Sequence, residues 1–344
     1  MIPYFLLLFF TFVVFVSHSF TNKNVNYMTG ILWALVMSIF VGFQDEIGTD
    51  NSMYRLWAYM DTDGFDNLSA KLIVTIVQTF NLPDSFVFYI YTLISYLFLT
   101  LFFLQYPKES RYVGALLLFS NIYFIQSFNV IRQIAAVSVF LYGAALFIKG
   151  KKSSYFFLLI ALCIHITSLL AIAILFVSKY IKFGWPLFIV YCFSVVLFLM
   201  GGIVQYMRSA VAFLALYDSH YDYLTDNTII AYAGLGVQFL LNVAYAMVFF
   251  SRRKAPLLVQ HNQTFLLAFI GLICYNIMAA DITFFRMAYY FYFFIYVTVP
   301  LFVASFNPKE RVPLAWGLSF LYIVQFFSII SANGSFLPYR NVLF

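Results

Sequence analysis

The chain alternates between long apolar runs and short polar breaks. Apolar runs fall near 2–20, 28–44, 86–104, 112–128, 130–148, 186–206, 229–250, 263–280, 287–305 and 313–331, with one more at 155–177. A helix needs about 17–25 such residues to cross a hydrocarbon core of about 30 Å. Lipid offers no partner to backbone polar groups, and the runs lack the alternation of a barrel strand, so the pattern predicts helices throughout. The expected fold class is an all-α polytopic membrane protein of about 10–11 transmembrane helices, in one membrane domain over residues 1–344.

Composition agrees: 64% of the 344 residues are hydrophobic, 22% aromatic and only 9% charged, with a mean hydropathy of +0.92. That excludes a soluble domain and makes every charge informative, because a charge near a bilayer needs water, a partner or a substrate. Short turns carrying Lys108 and Arg111, Lys149, Lys151 and Lys152, Arg252, Arg253 and Lys254, and Lys309 and Arg311 read as cytoplasmic, with Lys23 consistent. The loop at 45–85 and both termini then lie outside. Met1 is followed by Ile2 and Pro3 without a basic n-region, so the first span does not read as a conventional signal peptide.

Lys179 and Lys182 break simple alternation. If 155–177 re-enters rather than crosses, every basic cluster falls on the inner side, with His165, Thr167 and Ser168 near the tip. In that topology nine Lys and four Arg lie inside, and five Arg (Arg55, Arg132, Arg208, Arg286, Arg340) and one Lys (Lys71) outside. Eleven of the thirteen carboxylates are outside, all but Glu109 and Glu310. Arginine grips phosphate and carboxylate through a planar fork that lysine lacks, although any of these arginines could simply pair with an external acid. The net charge of +6 is mostly the positive-inside signal and calls for no nucleic acid.

Two external loops stand out. The loop at 45–85 holds seven acids against Arg55 and Lys71, and its segment LSAKLIVTIVQTF has helical apolar spacing but is too short to span, so it lies flat at the interface or packs on the bundle. The loop at 207–228 interleaves tyrosines with Asp218, His220, Asp222 and Asp226, a mixture suited to sugars and equally to an interfacial aromatic belt. Cys163, Cys192 and Cys274 sit inside apolar runs at unrelated spacings and read as small buried hydrophobes. There is no Walker A loop, HExxH, paired CxxC or GxSxG, and the GLG at 234–236 lacks a βαβ context. No cofactor or metal site is expected.

Four polar positions are hard to explain as lipid-facing: Arg132, opening a span in NVIRQIAAVSVF; His165, within IALCIHITSLL; Arg286, in AADITFFRMAYYFYFF; and Asp50, in GTDNSMY. Each has a structural rival. The arginines could snorkel, His165 could bridge helices, and Asp50 could cap the short helix after it.

GTDNSMY after the second span, RQIAA opening a helix, a histidine near the middle of the next apolar run, then FFRMAYYF and a late LPY, resemble the EpsG/Wzy-like polysaccharide polymerases. The likeness runs from about 45 to 340; GTDNSMY departs from it in lacking the aromatic that many relatives carry just after the aspartate, which leaves Asn51 without an assigned role. The resemblance implies a bacterial inner-membrane glycosyltransferase of GT-C-like architecture, acting at the periplasmic face on undecaprenyl-pyrophosphate-linked oligosaccharide, with a chain-length regulator as partner.

A pyrophosphate already leaves well, so its developing charge is what such a site must stabilise. Arg132 and Arg286 are the expected clamp, with Arg340 third and Gln133, Tyr54, Tyr289 and Tyr339 as further substrate-binding residues. The acceptor hydroxyl must lose a proton, to either Asp50 or His165. Metal-independent transfer is expected. The rivals are an O-antigen ligase, which carries a larger late external segment; a membrane O-acyltransferase, poorly supported by His18; and a lipid-linked oligosaccharide flippase, which predicts mid-membrane charges and repeated halves.

Overall fold

Among the described residues the predicted spans fold as one helix or as two short ones, since a backbone in an apolar medium can satisfy its polar groups only within its own coil. The computed structural model describes residues 2–48, 50–65, 67–119, 122–200, 237–278, 282–332 and 336–343. The chain is an all-α polytopic membrane protein. Among the described residues four stretches are long and apolar enough to cross a bilayer alone: Lys23–Gly42, Ser85–Phe103, Ile131–Ile148 and Arg286–Ala304.

In chain order the helices are α1 (Ile2–Ser17), α2 (Lys23–Gly42), α3 (Asn51–Trp57), α4 (Leu68–Thr79), α5 (Ser85–Phe103), α6 (Lys108–Phe119), α7 (Ile122–Gln126), α8 (Ile131–Ile148), α9 (Ser154–Ile164) and α10 (Ser168–Ser178). There follow α11 (Trp185–Leu199), α12 (Val237–Ser251), α13 (Pro256–Gln260), α14 (Asn262–Met278), α15 (Ile282–Tyr292), α16 (Ile295–Ala304) and α17 (Pro308–Ala332). They form two compact units, Met1–Ile172 with Tyr296–Phe344, and Ala173–Ile295. Neither boundary is a linker: one lies inside α10 and the other at the start of α16.

α8 is the core of the first unit. Fifteen of its eighteen residues are buried, so it touches protein on every side, α5 and α9 above all. Ala135, Ala136, Gly143, Ala144 and Ala145 keep it thin enough for that. Its first turn therefore opens into the bundle rather than toward lipid. α4 settles one open question: Ala70, Ile73, Val74 and Val77, one face at helical spacing, pack it on α5 and α9. Asn67 caps it, accepting from the Ser69 and Ala70 amides.

The stretch 155–177 is broken where its polar residues lie. α9 stops at Ile164, His165 is extended, and α10 starts at Ser168. Ser168 Oγ donates back to the Ala161 carbonyl at 3.0 Å, a reach of seven residues that no continuous helix allows. Each half is about 16 Å long, roughly half the hydrocarbon thickness.

In the second unit α14 packs between α11 and α15. Gly271 makes the second contact possible, because a Cβ there would strike the backbone of Phe291 and Tyr292. Gln263 Nε2 donates to the Ser178 carbonyl at 3.3 Å, and the Arg252 guanidinium lies over Phe183 and Phe249, 4.8 and 4.3 Å from their centroids. The segment holding Lys179 and Lys182 thus shares an end with the Arg252–Lys254 turn, as both readings of 155–177 require.

Candidate functional site

The loop before α5 packs onto the start of α8. α3 carries Tyr54 and Trp57 on one face, three residues apart. Their rings meet edge-on at 4.6 Å, and Trp57 packs in turn on Phe65 at 5.1 Å. The Arg132 guanidinium lies over Trp57, 5.4 Å from the ring centroid. Its Nε is buried and has no hydrogen-bond partner, and among the described residues no carboxylate forms an ion pair with it. Arg132 does not snorkel; it is held inside by an aromatic ring.

Tyr54 stands between charges. Its hydroxyl feels both Arg132, in the first turn of α8, and Asp50. Burial pushes this hydroxyl up to about 12, with the Arg132 charge pulling it down and Asp50 pushing it up. Asp50 occupies the residue before α3 but its side chain makes no capping hydrogen bond, so the rival reading of it as a helix cap is not realised. Two residues earlier, Gly48 has φ +84°, and a Cβ there would come 2.5 Å from the Phe128 carbonyl oxygen and strike Asn129 as well. The close approach of Gly48 to the α7–α8 turn leaves no room for a side chain there. Gln133 is buried behind Arg132.

A second line of contacts leads from Tyr54 to the helix break. The Tyr91 ring lies 6.5 Å from that of Tyr54, and its hydroxyl bonds Ser69 Oγ at 3.0 Å. Ser69 Oγ donates to Asn67 Oδ1 at 2.6 Å, and Asn67 Nδ2 donates to the Ile164 carbonyl at 3.2 Å. That carbonyl belongs to the last residue of α9, so the start of α4 grips the chain one residue before His165. The imidazole Nδ1 accepts from the Thr167 backbone N–H at 3.3 Å, with Thr167 Oγ1 at 2.8 Å. Nδ1 must then hold a lone pair, which leaves the proton of a neutral ring on Nε2. In that tautomer His165 offers a donor, whereas Asp50 can accept.

The other expected residues are placed differently. Arg340 is exposed and pairs with Glu46 at 3.2 Å, while its carbonyl accepts from the Asp45 amide at 3.1 Å. Tyr339 stacks on Phe40 at 4.1 Å and 9°, donates to the Phe40 carbonyl at 2.6 Å, and packs on Tyr4. Burial pushes its hydroxyl up to about 12. The C-terminal segment is thereby laid against the turn after α2. Arg55 is engaged with Asp45 at 3.2 Å and the Gln44 carbonyl at 3.0 Å. Arg286 and Tyr289, one turn apart on α15, belong to the second unit; Arg286 is half-buried and Tyr289 buried, stacked on Phe293 at 5.1 Å.

Asp281, Arg208 and the whole 207–228 loop lie outside the described residues. Among the described residues no group of three His, Cys, Asp or Glu side chains converges. Sequence reasoning missed Trp57, Tyr91, Asn67 and Ser69. Trp57, Asn67 and Ser69 are ordinary types for a loop and Tyr91 is one of many aromatics in α5, and only Trp57, in a helix with Tyr54, carried even a weak signal.

The family model described as EpsG family matches residues 27–341, nearly the whole chain. No curated protein and no solved structure matches it significantly.

Proposed function

The chain belongs to the EpsG family, a polysaccharide-polymerase type of membrane protein, and from that premise we propose that it joins repeat units carried on undecaprenyl pyrophosphate. Transfer takes place at the periplasmic face of a bacterial inner membrane, and the growing chain moves to a sugar hydroxyl of the next lipid-linked unit. Asp50 takes the proton of that hydroxyl as its oxygen attacks the donor's anomeric carbon. The bond from that carbon to the pyrophosphate oxygen breaks, undecaprenyl pyrophosphate departs, and the proton on Asp50 passes to water.

One observation carries the reading. Arg132 is a half-buried cation with a buried, unpartnered Nε and no ion-pair partner among the described residues, at the open first turn of α8. A buried charge left so is costly unless an anion completes it. A helix N-terminus beside an arginine fork is what a pyrophosphate needs. Tyr54 and Trp57 border the same space and suit a sugar ring, and His165 supplies a donor from the helix break.

The test is purified protein mixed with its lipid-linked repeat unit, without nucleotide sugar, read as a ladder of products on a gel. A ladder from wild type that Arg132→Ala abolishes supports the reading. Carrier movement across liposomes without any ladder would make the protein a flippase instead.

A further inference from the structure

A cavity of about 390 Å³ lies at the opposite, lysine-rich end of the first unit. Its lining side chains come from the α1–α2 turn (Thr21, Asn22), the first turn of α2 (Lys23, Asn26, Tyr27), the end of α5 (Leu104) and the start of α6 (Lys108, Arg111). Three of the eight are cationic and none is acidic. Over 18–30 and 101–114, the stretches that supply it, Glu109 is the only carboxylate in the sequence.

The wall is built rather than loose. Asn22 caps α2, accepting from the Val25 amide at 3.0 Å, so the positive end of a 20-residue helix dipole faces this space. Asn26 is buried, its Oδ1 accepting from Thr21 Oγ1 at 2.5 Å and its Nδ2 donating to the His18 carbonyl at 3.3 Å. Arg111 donates through Nε to the Tyr106 carbonyl at 3.0 Å and through Nη2 to the Leu104 carbonyl at 3.2 Å, which pins its guanidinium at the wall. Lys23 Nζ stands 5.8 Å from the Tyr27 ring.

Positive charge is in excess here. The neighbouring Lys149 is held below the ordinary lysine range by burial first, then by Arg111 and Lys151. Beside the lining residues Thr21 and Tyr27, Phe20 and Met28 are 84% and 71% exposed, an apolar flank for acyl chains that a free ion would not use.

We propose that this cavity binds the phosphate of an anionic phospholipid head group, from the leaflet that faces the lysine-rich end. Basic pockets between transmembrane helices at the lysine-rich face hold lipid phosphates by this chemistry. The ligand's phosphate lies among the charges of Lys23, Lys108 and Arg111, and its glycerol and acyl chains follow Phe20 and Met28 into the membrane. The site is independent of the polymerase reading and uses none of its residues.

The experiment is native mass spectrometry of the full-length protein in mild detergent, titrated with phosphatidylglycerol, phosphatidylcholine or inorganic phosphate. Wild type should retain phosphatidylglycerol in preference to phosphatidylcholine. Lys23→Gln with Lys108→Gln should weaken it about thirtyfold, about 1 kcal/mol per lysine near the surface. Lys23→Arg with Lys108→Arg should keep it. Lys151→Gln with Lys152→Gln, the same charge change at exposed positions of that end, should leave it near wild type. Equal losses in the two glutamine pairs, or no preference for the anionic lipid, would overturn the proposal. So would inorganic phosphate that binds as tightly and displaces the lipid.

Discussion

The Arg132 guanidinium lies over the Trp57 indole at 5.4 Å, with no carboxylate paired to it among the described residues. A ring can hold a cation in place without neutralising it, so the charge remains for a ligand. Arg132→Ala should lower polymerisation by about 10²–10³-fold, the size of a lost oxyanion contact. Arg132→Lys should recover little of it, because a point charge cannot replace the fork. Trp57→Phe should fall between wild type and Trp57→Ala. Initial ladder rates at saturating donor would measure all four, and an Arg132→Lys enzyme near wild type would remove the clamp.

Asp50 and His165 should separate by chemistry. Asp50→Asn keeps a hydrogen-bond acceptor but removes the base, and should cost about 10²–10⁴-fold in rate. His165→Gln keeps a donor where Nε2 stands, so its loss should stay within about tenfold, one hydrogen bond's worth. His165→Leu should lose more. If His165→Gln were as dead as Asp50→Asn, the imidazole would be the base.

Gly48→Ala places a methyl 2.5 Å from the Phe128 carbonyl oxygen at φ +84°. The left-handed backbone alone costs about 1–2 kcal/mol for an L-residue. The loop must move, and Asp50 with it, so activity should fall by more than the drop in thermal stability accounts for. An unchanged rate in a folded Gly48→Ala protein would show that the Asp50 loop tolerates displacement.

Tyr54 gives a pH signature. Its hydroxyl ionises near 10 in the unfolded chain and at about 12 in the fold, so the folded state holds the proton more tightly. The stability it contributes is complete below pH 10 and is lost as the pH rises from 10 to about 12. The difference in melting temperature between wild type and Tyr54→Phe should therefore narrow across that window. A constant difference would mean that Tyr54 titrates alike in both states.

The Arg340–Glu46 pair is exposed, 58% and 76% by side chain, and such pairs contribute about 0–1 kcal/mol. Glu46→Ala should hardly move the melting temperature. Arg340→Ala should reduce polymerisation far less than Arg132→Ala, and an equal reduction would give Arg340 a place in the clamp.

Much was legible from the chain alone. Apolar length and period place the ends of α2, α5, α8 and α14 within a few residues, because a bilayer demands the same local answer wherever the sequence is apolar; the breaks between α6 and α7 and between α15 and α16 were not legible. Polar residues inside apolar runs mark Arg132 and His165, and the break at His165–Ser168 falls where they interrupt the stretch. Such signals are local, and so is the physics behind them.

The tertiary structure decided what each of those residues meets. Nothing near Arg132 in sequence announces Trp57, and nothing near His165 announces Asn67, which holds the carbonyl before it. Tyr339 and Arg340 look like site residues by type, yet one is packed on Phe40 and the other paired with Glu46 across the chain ends. Hydropathy is a sum over neighbours along the chain and determines the helices. A binding site is a meeting of residues distant in the chain, and packing of α5 and α9 around a thin α8, with α4 laid on both, is what brings them together.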